Sequence, residues 1–398
     1  MEAEPIQIHR GRSILTACVI AFVCFIGSYM RIPIVPLFAT SLGADTVQVG
    51  MINSAFMLMA GALSIPSGLV SDRWGRRLPL LGGMLLLAIS SFLLYWSTSP
   101  LQMAGIYLLF GMGLSAFSPT LISYVADITP PEVLGQAYGW YTMAVYSGMT
   151  FGPAVGGFLG TLLGLRPVFL VSGGVIFAMF WVALICITPA AVGHQKNDQA
   201  SPPFLELVKT MTGNRQLVAC LAATAGGCVG FGMFVTFMPL YIRYRGFSTG
   251  AVGLVFAAQA LANAMSRLPS GKLCDSVKDR SLLVLGGMAV FAVTMALFGL
   301  CTSVTAMVVT AAMMGLSMGT AFTVVCALIV DSVPREMRGL AMGSYNTCVY
   351  AGMMFCSLCM GGVISSAGFR AAFFLTGAIV LLVMLLFWFL YREPVAGR

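Results

Sequence analysis

Long apolar runs separated by short polar segments dominate the pattern of this chain. Each of twelve runs holds about 20 residues or more, which is enough to cross ~30 Å of hydrocarbon as an α-helix. The pattern therefore predicts an all-α polytopic membrane protein. The predicted spans are 14–38, 47–71, 78–98, 101–128, 137–163, 166–188, 216–241, 248–272, 281–302, 305–331, 339–365 and 370–391.

The composition identifies the solvent that such a chain requires. Hydrophobic residues make up 59% of the chain and charged residues only 9%, against a charged share of about 25% in soluble domains. A soluble fold could not hide that much apolar surface, so the chain must be solvated by a lipid bilayer. The first run is too long for the apolar core of a signal peptide and is predicted to be a retained span.

Basic residues are distributed unevenly between the two sides of these spans. If the N-terminus is cytoplasmic, fifteen of the 21 Lys and Arg residues lie inside, Arg31 and Arg267 lie within spans, and the other four, Arg166, Arg243, Arg245 and Arg370, lie outside. This bias follows the positive-inside rule and predicts that both termini are cytoplasmic. It also accounts for the net charge of +8, so we reject nucleic-acid binding as the cause of that charge.

The second half of the chain repeats the first in register. The repeated positions include Pro66 with Pro269, Gly68 with Gly271 and Asp72 with Asp275 at an offset of 203, and Asp127 with Asp331 and Gly148 with Gly352 at 204. Such a register predicts two six-helix bundles related as pseudo-repeats. The predicted domains are an amino-terminal bundle at 1–192, a cytoplasmic linker at 193–214 and a carboxy-terminal bundle at 215–398.

The charge is concentrated at residues 68–77, which we name the first charged turn. One acid and three arginines lie there within ten residues, between two uncharged spans. Glycine permits close backbone approach, and arginine cannot cross the bilayer, so the segment is predicted to be a tight cytoplasmic turn. On the simplest interpretation these arginines only set the topology.

The first charged turn resembles the loop signature between helices two and three of major facilitator superfamily transporters. Residues 271–280 look like its degraded copy, and the resemblance covers essentially the whole chain. It implies that Asp72 lies near the N-terminus of helix eleven, where the helix dipole favours an anion. It also implies that the arginines bridge to carboxylates at neighbouring helix ends. The gating residues expected on this basis are Gly68, Asp72, Arg73, Gly75, Arg76, Arg77, Asp127 and Asp275.

Span five carries a second pattern, G-x8-G-x3-G-P-x2-G-G. It resembles the helix-five motif of the drug:proton antiporters, an efflux subgroup of that superfamily. Small residues four apart make a smooth face for close helix contact, and proline can kink the helix. The alternative is a packing seam with no bearing on transport direction. The motif residues are Gly139, Gly148, Gly152, Pro153, Gly156 and Gly157.

Two features depart from the antiporter pattern. The subgroup carries an arginine in helix four, and Tyr107 occupies that position here, four residues before Gly111. A proton relay needs a titratable group at membrane depth, and all thirteen acids lie at termini, in loops or at helix ends. The sequence leaves open coupling to protons through Asp72 or Asp127, and facilitated diffusion.

Arg31 lies about 25 Å along span one at 1.5 Å per residue. An arginine there is costly unless it faces a watery cavity or snorkels to the outer interface. Helix one lines the central cavity in the superfamily, and both alternatives remain open. Further substrate-binding candidates, each of which could instead bond a neighbouring helix, are Asn53, Tyr146, Gln259, Asn263, Tyr345, Asn346 and Tyr350.

Sulfur-containing side chains give no metal-site pattern. Most of the 11 cysteines lie inside apolar runs, and the 27 methionines lack a mixed His and Met pattern in a span. Both residue types also fill apolar interfaces. Copper transport is therefore set aside, and no metal or cofactor is expected.

These features predict a multi-pass, monomeric carrier of a bacterial inner membrane. We expect it to move a small organic solute by alternating access, with export favoured by the span-five motif. The alternative within transport is uptake or uniport of an anionic metabolite, and a different class is a transporter-fold sensor or lipid flippase. An enzyme is not expected, since no cluster of nucleophile, base and acid is visible in the sequence.

Overall fold

The computed structural model describes residues 4–130, 133–187, 213–277, 279–334 and 337–392. They fold into α-helices joined by short turns. The helices are α1 (Glu4–Met30), α2 (Ile34–Ser41), α3 (Thr46–Trp74), α4 (Arg77–Trp96), α5 (Pro100–Ile128), α6 (Leu134–Leu162), α7 (Leu165–Cys186), α8 (Arg215–Tyr244), α9 (Thr249–Ser276), α10 (Ser281–Phe298), α11 (Val304–Ser332) and α12 (Arg338–Arg392).

At two places the helices depart from one uninterrupted helix per predicted span. The first span is divided into α1 and α2 by a turn at residues 31–33. At the other end of the chain, α12 contains both of the last two spans and is interrupted at Gly368, whose φ is +83°.

Ten stretches of the described residues are long and apolar enough to cross a membrane, and one of them, Leu340–Tyr391, runs through the Gly368 break. Counting its two parts separately and adding the 29-residue α6 gives twelve spans. The prediction of an all-α, twelve-span membrane protein is confirmed.

The internal repeat extends to the backbone conformation. Gly43 and Gly246 have φ values of +88° and +84°, and Gly164 and Gly368 have +88° and +83°. These pairs keep the offsets of the sequence repeat, and glycine adopts this left-handed region without steric cost. The repeat therefore fixes where the chain turns as well as which side chains recur.

One compact unit contains Met1–Val192 and Val235–Ala260. Within it α1 packs on α6, α3 packs on α5, and α4 packs on both α5 and α7. A Cβ at Gly83 would lie 2.8 Å from the Phe117 amide nitrogen, so α4 and α5 approach as closely as their backbones allow.

The second compact unit contains Gly193–Phe234 and Leu261–Arg398. In it α10 packs on α11 and α12, and a Cβ at Gly232 on α8 would lie 2.8 Å from the Met353 Cα on α12. The division passes through α8 and α9, so residues 235–260 group with helices of the first half. The predicted linker at 193–214 lies almost wholly outside the described residues, and the domain boundaries stay predictions.

Candidate functional site

The first charged turn ends α3 and begins α4. Gly75 caps α3 with a φ of +82°, which lets the chain reverse within two residues. The reversal brings the Arg76 Nε within 2.8 Å of the Asp127 Oδ2 near the end of α5, and Arg76 Nη1 donates to the Ser71 Oγ at 3.1 Å. The structure therefore joins the turn to the carboxylate that the resemblance implied.

The other arginines of this turn have different surroundings. Arg77 Nη2 donates to the Leu184 carbonyl oxygen near the end of α7 at 2.8 Å, so it bonds a backbone group rather than an acid. Arg73 is exposed, and Gly68 is half-buried on α3. The side chains of Asp72 and Asp275 lie outside the described part of the structure, so their expected gating roles stay predictions.

The second half contains an ion pair that the sequence analysis did not identify. Arg280 Nη1 lies 2.7 Å from the Asp331 Oδ2, and Arg280 Nε donates to the Cys274 carbonyl oxygen at 2.9 Å. Arg280 and Asp331 stand 204 positions after Arg76 and Asp127. This offset of the internal repeat could have predicted the second pair from the first. The pair is more exposed than its first-half counterpart, with side-chain exposures of 34% and 57% against 20% and 39%.

Most glycines of the span-five motif lie at backbone contacts of α6. A Cβ at Gly148 would lie 2.6 Å from the Phe22 carbonyl oxygen on α1, one at Gly152 would lie 2.7 Å from the Tyr29 Cβ, and one at Gly156 would overlap the Met30 carbonyl oxygen. These three residues form the smooth face that the spacing predicted, and it packs on the last three turns of α1.

The remaining motif residues do not face α1 in this way. Gly157 approaches α9, where a Cβ would lie 2.6 Å from the Gly253 Cα. Gly139 has no heavy atom within 4 Å of the place a Cβ would occupy, and Pro153 is buried inside α6. Gly148, Gly152 and Gly156 therefore contact α1, and Gly157 contacts α9. Pro153 is buried within α6, and Gly139 has room for a Cβ.

Arg31 lies at the break between α1 and α2, inside the first unit. Its side chain is 0% exposed, and Nη1 donates to the Ser90 Oγ at 3.0 Å and the Ser91 Oγ at 2.9 Å on α4. The guanidinium carbon lies 3.6 Å from the centre of the Phe110 ring on α5. In this structure Arg31 therefore neither snorkels outward nor lies on an exposed wall.

Tyr107 on α5 is the neighbour of Arg31 that the sequence analysis missed. It is fully buried, and its ring centre lies 5.5 Å from that of Phe110, the ring on which the Arg31 guanidinium packs. The available signal was its position, since Tyr107 stands where the antiporter subgroup carries a helix-four arginine. In this chain the buried cation is Arg31 in the first span, and the fourth span, which is α5, supplies the phenol of Tyr107.

The other substrate-binding candidates are divided between the units. Asn53 is buried and donates to the Val49 carbonyl oxygen of its own helix at 3.4 Å. Gln259 is buried and Tyr146 is half-buried, also in the first unit.

In the second unit, Asn263 Oδ1 accepts a bond from the Arg267 Nε at 3.2 Å. Tyr345 and Tyr350 are half-buried and Asn346 is exposed. Their roles as solute-binding residues stay predictions. Among the residues that the structure describes, no three His, Cys, Asp or Glu side chains are grouped as a metal site would require.

Similarity to multidrug resistance proteins covers nearly the whole chain. Multidrug resistance protein MdtG of Proteus mirabilis (strain HI4320) is 28% identical over 392 residues, which cover 94% of this chain and 96% of that protein. Multidrug resistance protein MdtG of Rahnella sp. (strain Y9602) is 26% identical over 404 residues, with coverages of 99% and 97%.

A solved structure shows the same fold. The crystal structure of a bacterial homolog to human lysosomal transporter Spinster, in an inward-facing and unoccupied conformation, matches with a TM-score of 0.78 over 96% of this chain and 97% of that one, at 15% identity. The family model described as Major Facilitator Superfamily matches residues 17–285 and 243–398. The chain belongs to the major facilitator superfamily.

Proposed function

We propose that this chain is a secondary transporter that exports a small organic solute across a bacterial inner membrane by alternating access. The observation that carries export is the backbone packing of α6 on α1, built by residues of the motif that resembles the antiporter signature. Relatives whose printed names are multidrug resistance proteins support the same direction.

The two ion pairs supply the chemistry of a gate in this proposal. Arg76 and Arg280 each start a helix and bond an acid at the end of another helix, at repeated positions. Such pairs are weak where water reaches them, so they can form and break as the cytoplasmic side closes and opens. Protons, as the coupling ion, would act through Asp72 or Asp127 at the cytoplasmic face, since no acid lies well inside a span.

Transport by the purified protein in liposomes tests the export proposal. A panel of cationic, neutral and anionic organic solutes is loaded while a pH gradient or a membrane potential is imposed. We expect saturable, protein-dependent movement of at least one cationic or neutral solute against its own gradient. This movement should occur when protons flow down their gradient in the opposite direction. Movement of no solute beyond that in protein-free liposomes contradicts the proposal.

Uptake or uniport of an anionic metabolite is the second candidate function. It is favoured by Arg31, a fully buried guanidinium in a chain with no acid well inside a span. In the same liposomes this candidate predicts movement of anionic solutes down their gradients, independent of the imposed pH gradient. Accumulation driven by that gradient would decide for export.

The orientation and the oligomeric state complete the proposal. The distribution of basic residues supports cytoplasmic termini, and we propose that the functional unit is a monomer. A reporter enzyme that works only in the cytoplasm, fused after residue 398, should be active. Light scattering of the purified protein, corrected for bound detergent, should give the mass of one 42.1 kDa chain.

A further inference from the structure

The charge of Arg31 lacks an anion in the described part of the protein. Nη1 is occupied by the hydroxyls of Ser90 and Ser91, whereas Nε and Nη2 have no hydrogen-bond partner among the described residues. Those hydroxyls are neutral, and each also donates to the Leu87 carbonyl oxygen. None of the thirteen acids lies well inside a predicted span; all are at termini, in loops or at helix ends.

A second unsatisfied donor lies beside this guanidinium. The Tyr107 hydroxyl is buried and has no hydrogen-bond partner among the described residues. Arg31 and Tyr107 both pack on Phe110, with the guanidinium carbon 3.6 Å and the tyrosine ring centre 5.5 Å from the centre of that ring. The turn after α1 and the helix α5 thus each bring a buried, unpaired donor against the same aromatic ring.

The chemistry of these groups defines what could satisfy them. A guanidinium offers only donors, and a phenol donates one hydrogen bond. An unpaired buried charge is costly even after the protein relaxes, and the contact with the Phe110 ring offsets only part of that cost. A negatively charged acceptor would pair the charge and accept from both residues, whereas a water molecule would leave the charge uncompensated.

We propose that Arg31 and Tyr107 bind a small monovalent anion inside the first unit. The ligand is either an inorganic ion of chloride size or the carboxylate group of a small solute. This inference goes beyond the transport proposal, because the site would bind its anion whether or not the chain exports a solute. It also gives Tyr107 on α5 a role, as the second donor to that anion.

Thermal unfolding of the purified full-length protein tests this site without a transport assay. The potassium salts of chloride, bromide, acetate and gluconate are exchanged at constant ionic strength. We expect the two halides, or acetate, or all three anions, to raise Tm saturably by ~2 °C or more, as ligand linkage requires. Gluconate should not raise Tm, because it is too large for the site. A rise with acetate alone assigns the site to a solute carboxylate, and a rise with the halides assigns it to an inorganic ion.

Two substitutions identify the residues responsible. Tyr107→Phe removes one oxygen atom and should raise the anion concentration for half-maximal stabilisation about tenfold, the loss of one charge-assisted hydrogen bond. Arg31→Gln should abolish the anion dependence. Arg166→Gln is the matched control, because Arg166 lies in the same unit, near the Phe38 ring and bonded to a backbone oxygen, and it should leave the dependence unchanged.

The outcomes separate this site from general salt effects. If Tm is the same in all four salts, or Tyr107→Phe responds as the unaltered protein does, the proposal is wrong. Arg31→Gln could lose stability for structural reasons, so the decision rests on Tyr107→Phe, together with a crystal grown in bromide. Anomalous scattering beside the Arg31 guanidinium supports an inorganic ion there, and bromide found only elsewhere overturns that assignment.

Discussion

The Arg76–Asp127 pair shows at the scale of single residues why the first charged turn has its composition. Gly75 supplies the positive φ that reverses the chain, and this places Arg76 at the start of α4 with its Nε 2.8 Å from Asp127. Both side chains remain partly exposed, so the pair contributes only about 0–1 kcal/mol to stability. The pair therefore contributes little to holding the fold, which is consistent with the proposed role in a gate.

Asp127→Asn should impair transport far more than it impairs folding. The amide keeps the shape and loses the charge, so Tm should change by less than the ~2–4 °C that corresponds to 1 kcal/mol in a domain of this size. The transport rate should fall several-fold in the liposome assay. Asp331→Asn is the control, and its smaller effect is expected because Arg280–Asp331 is the more exposed pair. Equal losses for the two variants would contradict a special role for the first turn.

Arg31→Gln tests the charge at the break between α1 and α2. If the solute is anionic and passes this residue, its affinity should fall by ~1–3 kcal/mol, or roughly five- to hundredfold. Neutral solutes should bind almost unchanged, because glutamine keeps a donor and much of the bulk. Competition by unlabelled solutes measures this, and unchanged transport of every solute would remove Arg31 from the pathway.

At the scale of elements, the contact between α6 and α1 explains the spacing of the span-five motif. Gly148, Gly152 and Gly156 are four residues apart, about one helical turn, and each lies where a Cβ would meet α1. The sequence predicted this face because small residues recur on one side of a helix. It could not predict the partner helix, since the apolar run of span one gives no indication of which neighbour packs against it.

Gly156→Ala should be the most damaging single methyl addition to this contact. The added Cβ would overlap the Met30 carbonyl oxygen, and overpacking of this kind costs typically 1–3 kcal/mol. Transport and Tm should both fall. Gly139→Ala is the matched control on the same helix, because its Cβ would meet nothing within 4 Å. The role of the face is contradicted if the two variants behave alike.

The break in the first span marks the limit of what the hydrophobic pattern reveals. Residues 14–38 form one apolar run, and a run of that kind predicts one helix. The structure ends α1 at Met30 and begins α2 at Ile34, with Arg31 bonded to α4. Side-chain bonds to another helix decide the position of Arg31, and neither hydropathy nor depth along the span contains that information.

At the scale of the whole molecule, the repeat was the most informative property of the sequence. It predicted two six-helix halves, and followed further it would have predicted the Arg280–Asp331 pair from Arg76–Asp127. It could not predict that residues 235–260 group with first-half helices. A repeat reports which helices are equivalent, whereas the contact of Gly157 with Gly253 belongs to one conformation of a protein proposed to change conformation.

Alternating access requires that contact to be temporary, and a reversible cross-link tests the requirement. In a background lacking the 11 native cysteines, we combine Gly157→Cys with Gly253→Cys. Their backbones are close enough for the new thiols to meet, because a Cβ at Gly157 would lie 2.6 Å from the Gly253 Cα. Oxidation should stop transport and reduction should restore it, since α6 and α9 could no longer separate.

The control is a cross-link between two first-half helices whose packing is expected to persist throughout the cycle. Tyr29→Cys with Gly152→Cys joins α1 to α6, where a Cβ at Gly152 would lie 2.7 Å from the Tyr29 Cβ. Each variant is compared with itself before and after oxidation, so the substitutions cancel and only the cross-link is measured. Oxidation of this control should leave the transport rate unchanged. Unimpaired transport by the oxidised Gly157–Gly253 variant would show that α6 and α9 stay together during transport, and the proposed rocking of the two halves would have to be abandoned.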